Sequence, residues 1–203
     1  GVDRDRYRIA QLREEAIASS QVEGAATTRV VAREMIRTAR PPRDRDERMI
    51  ANNFDAMRRL GERKEQTLTP QVVFALHRIL TEGTLDRPDE AGRLRTTDDV
   101  VVTDLQGTVY HVPPPAVELP GRLDAMCAFA NGTSDDEFIH PVVRAILLHF
   151  WLACDHPFSD GNGRTARALF YWMALRHGYW LVEFLSISRI IHRSRRRYYD
   201  AFL

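Results

Sequence analysis

The chain has 203 residues, of which 44% are hydrophobic and 28% charged, so it can fill one globular core. A formal net charge of +1 gives no strong field for nucleic acid or an anionic membrane, and no apolar run reaches the roughly 20 residues that span a bilayer. Two cysteines exclude a disulfide framework, and basic residues that are nearly all arginine are typical of a GC-rich bacterial genome, so we expect a bacterial cytoplasm.

The first predicted element is a helix over residues 4–22, whose apolar residues recur at helical spacing. Gly24 follows it, and glycine is common just after the last turn of a helix. By itself, this pattern indicates a capped amphipathic helix with Glu23 in solvent.

Three further helices are predicted in the first half of the chain, over residues 27–38 and 44–63 and from Thr69 onward. Threonine is a plausible cap for the last of these, because a proline follows it at the first helical position. His77 on that helix is expected at the surface or the boundary of the core, without a ligand role.

Residues 98–112 depart from the helical pattern and predict the one sheet element. Two β-branched runs, 100–102 and 108–110, flank a glycine-containing turn over 103–107, which favours a hairpin. A hairpin of this kind is either a surface decoration or an exposed edge to which an extended peptide adds as a strand.

The second half of the chain is again helical. A short helix is predicted over 116–131, and a longer one begins at His140. Apolar residues cover more than one face of the run 142–154, so we expect that helix to be buried, with His149 packed inside. The last helix, 188–202, mixes arginines with aromatic residues and is expected to have a solvated basic face.

The chemistry of the sequence is concentrated in the stretch HPFSDGNGRTAR, residues 156–167. Glycines adopt backbone conformations that are closed to other residues, so the N–H groups of Gly161, Asn162 and Gly163 can point at one anion. The helix that follows adds the positive end of its dipole. This stretch therefore predicts an anion-binding loop at the start of a helix.

Charged and titratable side chains surround the predicted loop. Arg164 and Arg167 fall on neighbouring helical positions, from which both can grip a polyphosphate. His156 titrates near neutral pH, and Asp160 offers oxygen atoms to a divalent cation such as Mg²⁺.

The stretch matches the signature HPFxDGNGRxxR at every specified position and so resembles the Fic family. Ser19-x-x-x-Glu23-Gly24 similarly resembles the inhibitory motif [S/T]xxxE[G/N] of that family. The resemblance implies an all-α fold, a Fic-like helical bundle with one β-hairpin flap. We expect a single Fic domain over residues 1–203, within a longer native protein. Its parts would be an inhibitory helix (1–24), the flap (98–112) and the core motif helices (140–178).

The resemblance further implies a protein adenylyltransferase, which transfers AMP from ATP to a Ser, Thr or Tyr hydroxyl of a target protein docked on the flap. His156 would take the proton of that hydroxyl, and Asp160 would hold Mg²⁺. Glu23, with Ser19, would inhibit the reaction by pairing with Arg167, the arginine that otherwise grips the γ-phosphate. The residues that would bind the nucleotide are Asp160, Gly161, Asn162, Gly163, Arg164, Arg167 and Tyr199.

Several alternatives stay open at the level of the sequence. The same residues would serve in the removal of AMP from a protein, in an enzyme that catalyses both directions, or in transfer of UMP or phosphocholine. A non-enzymatic module that binds a phosphorylated partner is a further alternative, and self-association is undecided. The chain lacks the motifs GxxxxGK[ST], HExxH and CxxC, which excludes a P-loop of that kind and the commonest zinc sites.

Overall fold

The computed structural model describes residues 2–62, 64–103, 107–133 and 138–202, without the side chains of residues 2–5. Within these ranges the fold is helical with one two-stranded hairpin, which confirms the predicted fold class. No helix in the same ranges combines the length and apolar character that a membrane crossing needs.

The helices of the first half lie close to their predicted bounds. They are α1 (Val2–Val22), α2 (Arg29–Thr38), α3 (Arg45–Glu62) and α4 (Pro70–Thr81). Thr69 caps α4 as predicted, because its hydroxyl accepts a hydrogen bond from the backbone N–H of Val72.

The hairpin has shorter strands than the sequence predicts. It pairs β1 (Val102–Thr103) with β2 (Val109–His111) in antiparallel orientation, and residues 104–106 of the predicted turn lie outside the described residues. The helices of the second half are α5 (Leu119–Asn131), α6 (Pro141–Asp155), α7 (Asn162–Arg176), α8 (Ile187–Arg193) and α9 (Arg195–Tyr199).

The centre of the fold is α7, which packs against α1, α3, α4 and α6. Nearly every residue of α7 is buried, including the large side chains of Tyr171 and Trp172. The anion-binding loop predicted from the sequence is the connection from α6 to α7, so it lies at the end of two packed helices.

Buried polar contacts hold α1 against the C-terminal helices. The Glu15 carboxylate accepts hydrogen bonds from the Ser186 hydroxyl and from the backbone N–H and hydroxyl of Ser188, at the start of α8. Burial raises the pKa of Glu15. Arg195 of α9 also donates to the backbone carbonyl of Gln21. Together these contacts fix the end of α1, where Glu23 follows.

Two sequence predictions about helices are wrong. The predicted helix 188–202 is interrupted at Ser194, whose hydroxyl donates to the carbonyl of Ile190 and whose backbone leaves the helical region. The helix α6 is not buried on all sides, because Val143 and Ile146 are 47% and 51% exposed. Its partners α5 and α7 cover only part of its circumference.

Candidate functional site

His156 ends α6 in the left-handed conformation, with φ 44° and ψ 55°. Its ring Nδ1 lies 3.2 Å from the carbonyl oxygen of Ala153. A carbonyl only accepts, so Nδ1 carries the proton and Nε2 presents a free lone pair. Burial lowers the pKa of His156. The ring is therefore neutral at neutral pH and can accept a proton at Nε2.

The side chain of Asn162 closes the loop that follows. Its Oδ1 accepts from the N–H of Phe158 at 2.9 Å, and its Nδ2 donates to the carbonyl of Phe158 at 2.7 Å. Phe158 is fully buried and anchors the loop in the core. The side chain of Asn162 is thus engaged within the protein. Any hydrogen bond from Asn162 to an anion would therefore come from its backbone N–H, at the start of α7.

His77 holds the same loop from outside, contrary to the expectation that it lies at the surface or boundary. It is fully buried and stacks on the ring of Phe158 with 3.8 Å between ring centroids. The N–H of Gly92 donates to Nδ1 at 2.8 Å, so Nε2 carries the proton and donates to the carbonyl of Asp160, also at 2.8 Å. Burial lowers the pKa of His77 to about 4, which keeps this neutral form.

The two arginines of the motif have different environments. Arg167 is buried, and it donates to the Ser19 hydroxyl at 2.8 Å, to the Ser19 carbonyl at 3.1 Å and to Glu23 Oε1 at 2.8 Å. The ion pair between Glu23 and Arg167 that the resemblance implies is thus present. Arg164 is also buried and donates through Nη1 to the carbonyl of Leu80 at 2.9 Å.

Asp160 is the most exposed charged side chain of the loop. Its Oδ1 accepts from the N–H of Gly161 at 2.5 Å. Its Oδ2 lies 3.4 Å from Nη2 of Arg164 and 3.6 Å from Nη2 of Arg45. In the described part of the chain, no group of three or more His, Cys, Asp or Glu side chains is arranged to hold a metal ion. Asp160 would therefore hold a cation only together with oxygen atoms of a ligand.

A cavity of about 220 Å³ brings together part of the predicted site. Its functional lining comprises Glu23, His156, Gly163, Arg167 and Tyr199. Val101, Val102 and Thr103 of the hairpin border the same space. The side chains of Asp160, Asn162 and Arg164 are not in that lining, within the part of the chain that the structure describes.

The carboxylate of Glu23 lies at the start of α7, where the sequence predicts that an anion would bind. A Cβ added to Gly163 would overlap Glu23 Oε1, so the carboxylate lies against the first turn of α7. The cavity is also smaller than the roughly 300–1,000 Å³ typical of small-molecule sites. In this structure a carboxylate of the chain therefore stands where the loop and Arg167 would receive a phosphate.

The chain is similar in sequence to known proteins. A family model described as the Fic/DOC family matches residues 67–174. A protein adenylyltransferase Fic of Nematostella vectensis is 36% identical over 116 residues, which are 57% of this chain and 25% of that protein. One of Culex quinquefasciatus is 34% identical over 140 residues, 68% of this chain and 24% of that protein. The chain thus spans about a quarter of the length of these relatives.

Solved structures show the same fold. A Fic family protein of Desulfovibrio desulfuricans superposes with a TM-score of 0.77 at 24% identity, covering 97% of this chain and 57% of the other. A Fic-domain-containing signalling protein of Bacteroides thetaiotaomicron gives a TM-score of 0.81 at 22% identity, covering 97% and 73%.

Proposed function

Because the chain belongs to the Fic/DOC family, we propose that it is a protein adenylyltransferase, which moves AMP from ATP to a Ser, Thr or Tyr hydroxyl of a target protein. One observation carries the proposal. A neutral imidazole, His156, opens onto the same cavity as the start of α7 and the guanidinium of Arg167. The relatives of this chain that are named protein adenylyltransferases support it.

In the proposed reaction the target hydroxyl attacks the α-phosphorus of ATP. A bond forms between that oxygen and phosphorus, the bond to the bridging oxygen breaks, and pyrophosphate leaves. Nε2 of His156 takes the hydroxyl proton, and such general base help is worth about 10²–10⁴ in rate. Backbone N–H groups at Asn162 and Gly163 would stabilise the charge on the α-phosphate.

The nucleotide would enter the cavity once Glu23 leaves it. Arg167 would then grip the γ-phosphate, and Arg164 would support the β-phosphate by its charge beside Asp160. Gly161 sets the turn of the loop, with φ 81°. Tyr199 would contact the adenine ring, because it is an aromatic residue that lines the cavity.

A magnesium ion would fit the loop only if both the protein and the nucleotide supplied oxygen ligands to it. Asp160 supplies one carboxylate, and Mg²⁺ in phosphate-transfer sites is commonly held by one or two carboxylates plus phosphate oxygens and water. When bound, the ion would neutralise charge on the phosphates. The 3.6 Å contact between Arg45 and Asp160 would have to open for this to occur.

Glu23 makes the described state an inhibited one in this proposal. Its carboxylate holds Arg167 and repels a phosphate from the start of α7. Ser19 supports the pair by accepting two hydrogen bonds from Arg167. Residues 1–24 would thus act as the inhibitory helix of a single domain.

The hairpin would present the target to the site. Val102 and Thr103 border the cavity, and Val109 on the neighbouring strand is half exposed. An extended target segment could add to an edge of the hairpin as a further strand, which would bring the target hydroxyl beside His156. The arginine-rich composition would fit a bacterial source, and the two cysteines would fit a reducing cytoplasm as the place of the reaction.

The test is labelling of proteins in a bacterial extract by Glu23→Gly, with ATP that carries ³²P at either the α- or the γ-phosphate. AMP transfer predicts label from the α-phosphate alone. Label from the γ-phosphate alone would overturn the proposal in favour of phosphoryl transfer. Absence of any label would favour a binding module, or removal of AMP with Glu23 aligning the water.

A further inference from the structure

Arg95 is a buried charge outside the lining of the nucleotide cavity, among the residues that the structure describes. Its side chain is only 2% exposed, whereas its acidic neighbour Asp98 is 65% exposed. Burial of a guanidinium costs free energy unless every donor finds an acceptor. The contacts of Arg95 therefore indicate which segments of the chain its buried guanidinium connects.

One set of contacts reaches the motif loop. Nε of Arg95 donates to the carbonyl of His156 at 3.0 Å, and the backbone N–H of Arg95 donates to the carbonyl of Pro157 at 2.9 Å. His156 has a left-handed backbone, which is unfavourable for a residue with a side chain and persists only where neighbours fix it. Arg95 is one of the groups that fix it.

The other contacts reach both ends of the hairpin. Nη1 of Arg95 donates to the carbonyl of Thr97 at 2.6 Å and to Asp98 Oδ1 at 3.1 Å, and Nη2 donates to the carbonyl of Pro114. The same oxygen of Asp98 accepts from the N–H of Ala116 at 2.6 Å. One side chain thus joins the two ends of residues 98–112 to each other and to His156.

We propose that Arg95 is a positioning residue, which holds the hairpin that receives the target at a fixed place relative to the proton acceptor His156. The inference rests on the proposed function. Arg95 need not contact ATP or the target, because it acts on the backbone of both the loop and the hairpin. A second anchor, from His111 Nε2 to the carbonyl of Cys154 at 2.9 Å, keeps the hairpin attached when Arg95 is changed.

Arg95→Lys tests this, because lysine keeps the charge but lacks the planar fork that reaches all three segments. The matched control is Arg93→Lys, an exposed arginine of the same loop. Asp98→Ala is a milder second variant, since Asp98 is mostly exposed and its loss frees only the ends of the hairpin. All three are made in Glu23→Gly.

Three quantities are measured: AMP transfer from α-labelled ATP, ATP affinity by calorimetry, and deuterium exchange of residues 98–112. For Arg95→Lys we expect unchanged ATP affinity, faster exchange, and transfer slower by about ten- to hundredfold, since a misplacement of about 1 Å costs up to ~10² in rate. Asp98→Ala should also give faster exchange and slower transfer, by smaller factors than Arg95→Lys.

The inference is overturned if Arg95→Lys exchanges like the Arg93→Lys control, or if exchange rises while transfer is unimpaired. A loss of ATP affinity that accounts for the slower transfer would also overturn it. If the Glu23→Gly parent transfers no AMP, the proposed function fails, and exchange alone then decides whether Arg95 holds the hairpin.

Discussion

Replacement of Glu23 by glycine removes the carboxylate that covers the start of α7. Arg167 then keeps its two bonds to Ser19 but loses its acidic partner at 2.8 Å. A phosphate that enters this space no longer has to displace a charged group. We therefore expect Glu23→Gly to bind ATP more tightly and to transfer AMP faster than the unchanged chain.

The size of the effect follows from the contact that is lost. The pair is largely buried, with side chains 2% and 22% exposed for Arg167 and Glu23. A hydrogen bond between charged groups is worth about 1.5–3 kcal/mol. ATP should therefore bind roughly ten- to hundredfold more tightly to the variant, since each 1.4 kcal/mol is about tenfold in affinity. Without ATP the variant should be less stable by a similar free energy.

Calorimetric titration with ATP measures the affinity, and labelling with α-³²P-ATP measures the transfer. The control is Glu65→Gly, which removes an exposed acid from another turn. Glu23→Gln separates charge from size, because the amide still bonds to Arg167 without repelling phosphate, and it should give an intermediate affinity. Equal ATP affinity in Glu23→Gly and in the unchanged chain would show that the Glu23 carboxylate does not compete with a phosphate of ATP.

Three further predictions follow from single contacts. Asn162→Ala leaves the buried N–H and carbonyl of Phe158 unpaired. It should lower the free energy of unfolding, measured by urea titration, by about 2–4 kcal/mol, and a change below about 1 kcal/mol would show that Asn162 does not hold the loop. Burial lowers the pKa of His77 to about 4 from an ordinary 6.5. The unfolded chain therefore takes up a proton at a higher pH than the folded chain does, and the free energy of unfolding should fall as the pH drops from 6.5 to 4. The pKa values of His149 and His156 are also lowered by burial, so His77→Gln should reduce the pH dependence without abolishing it, and an unchanged slope would contradict the neutral form of His77. Asp160→Asn in Glu23→Gly should raise the Mg²⁺ concentration needed for half-maximal labelling; the same Mg²⁺ dependence as the parent would contradict the assignment of Asp160 to the ion.

The sequence predicts the helices well because their apolar residues repeat at the helical period, and Thr69 before Pro70 is a local start signal. It predicts the end of a helix poorly where no glycine or proline marks it. The last helix breaks at Ser194, whose backbone leaves the helical region, and serine in a basic, aromatic run gives no warning of this.

The motif loop is predictable as a set of residue types, but the contacts that hold it are not. His77 shares the buried side of α4 with Val73 and Leu80, and that helical phase is the signal which could have placed it in the core. Its partners Gly92 and Asp160 are 15 and 83 residues away in sequence. The side chain of Arg95 bonds to His156, 61 positions away, so no local pattern reveals it.

The different positions of the Arg164 and Arg167 side chains could not be predicted from the sequence. Both lie on α7 at a spacing that favours a shared ligand, yet only Arg167 lines the cavity, among the residues described. Arg164 turns toward α4 and the carbonyl of Leu80. A three-residue separation on a helix places side chains near one another without fixing which of them lines a cavity.

In the proposed mechanism, His156 takes a proton from a hydroxyl that attacks ATP held at the start of α7. Intact-mass measurement after incubation with ATP and Mg²⁺ tests it most directly, on Glu23→Gly and on the same variant with His156→Ala. We expect the first chain to gain the mass of one AMP group by self-modification and the second to gain none, with equal ATP affinity in both. Equal addition of AMP to the two chains would contradict the role of His156.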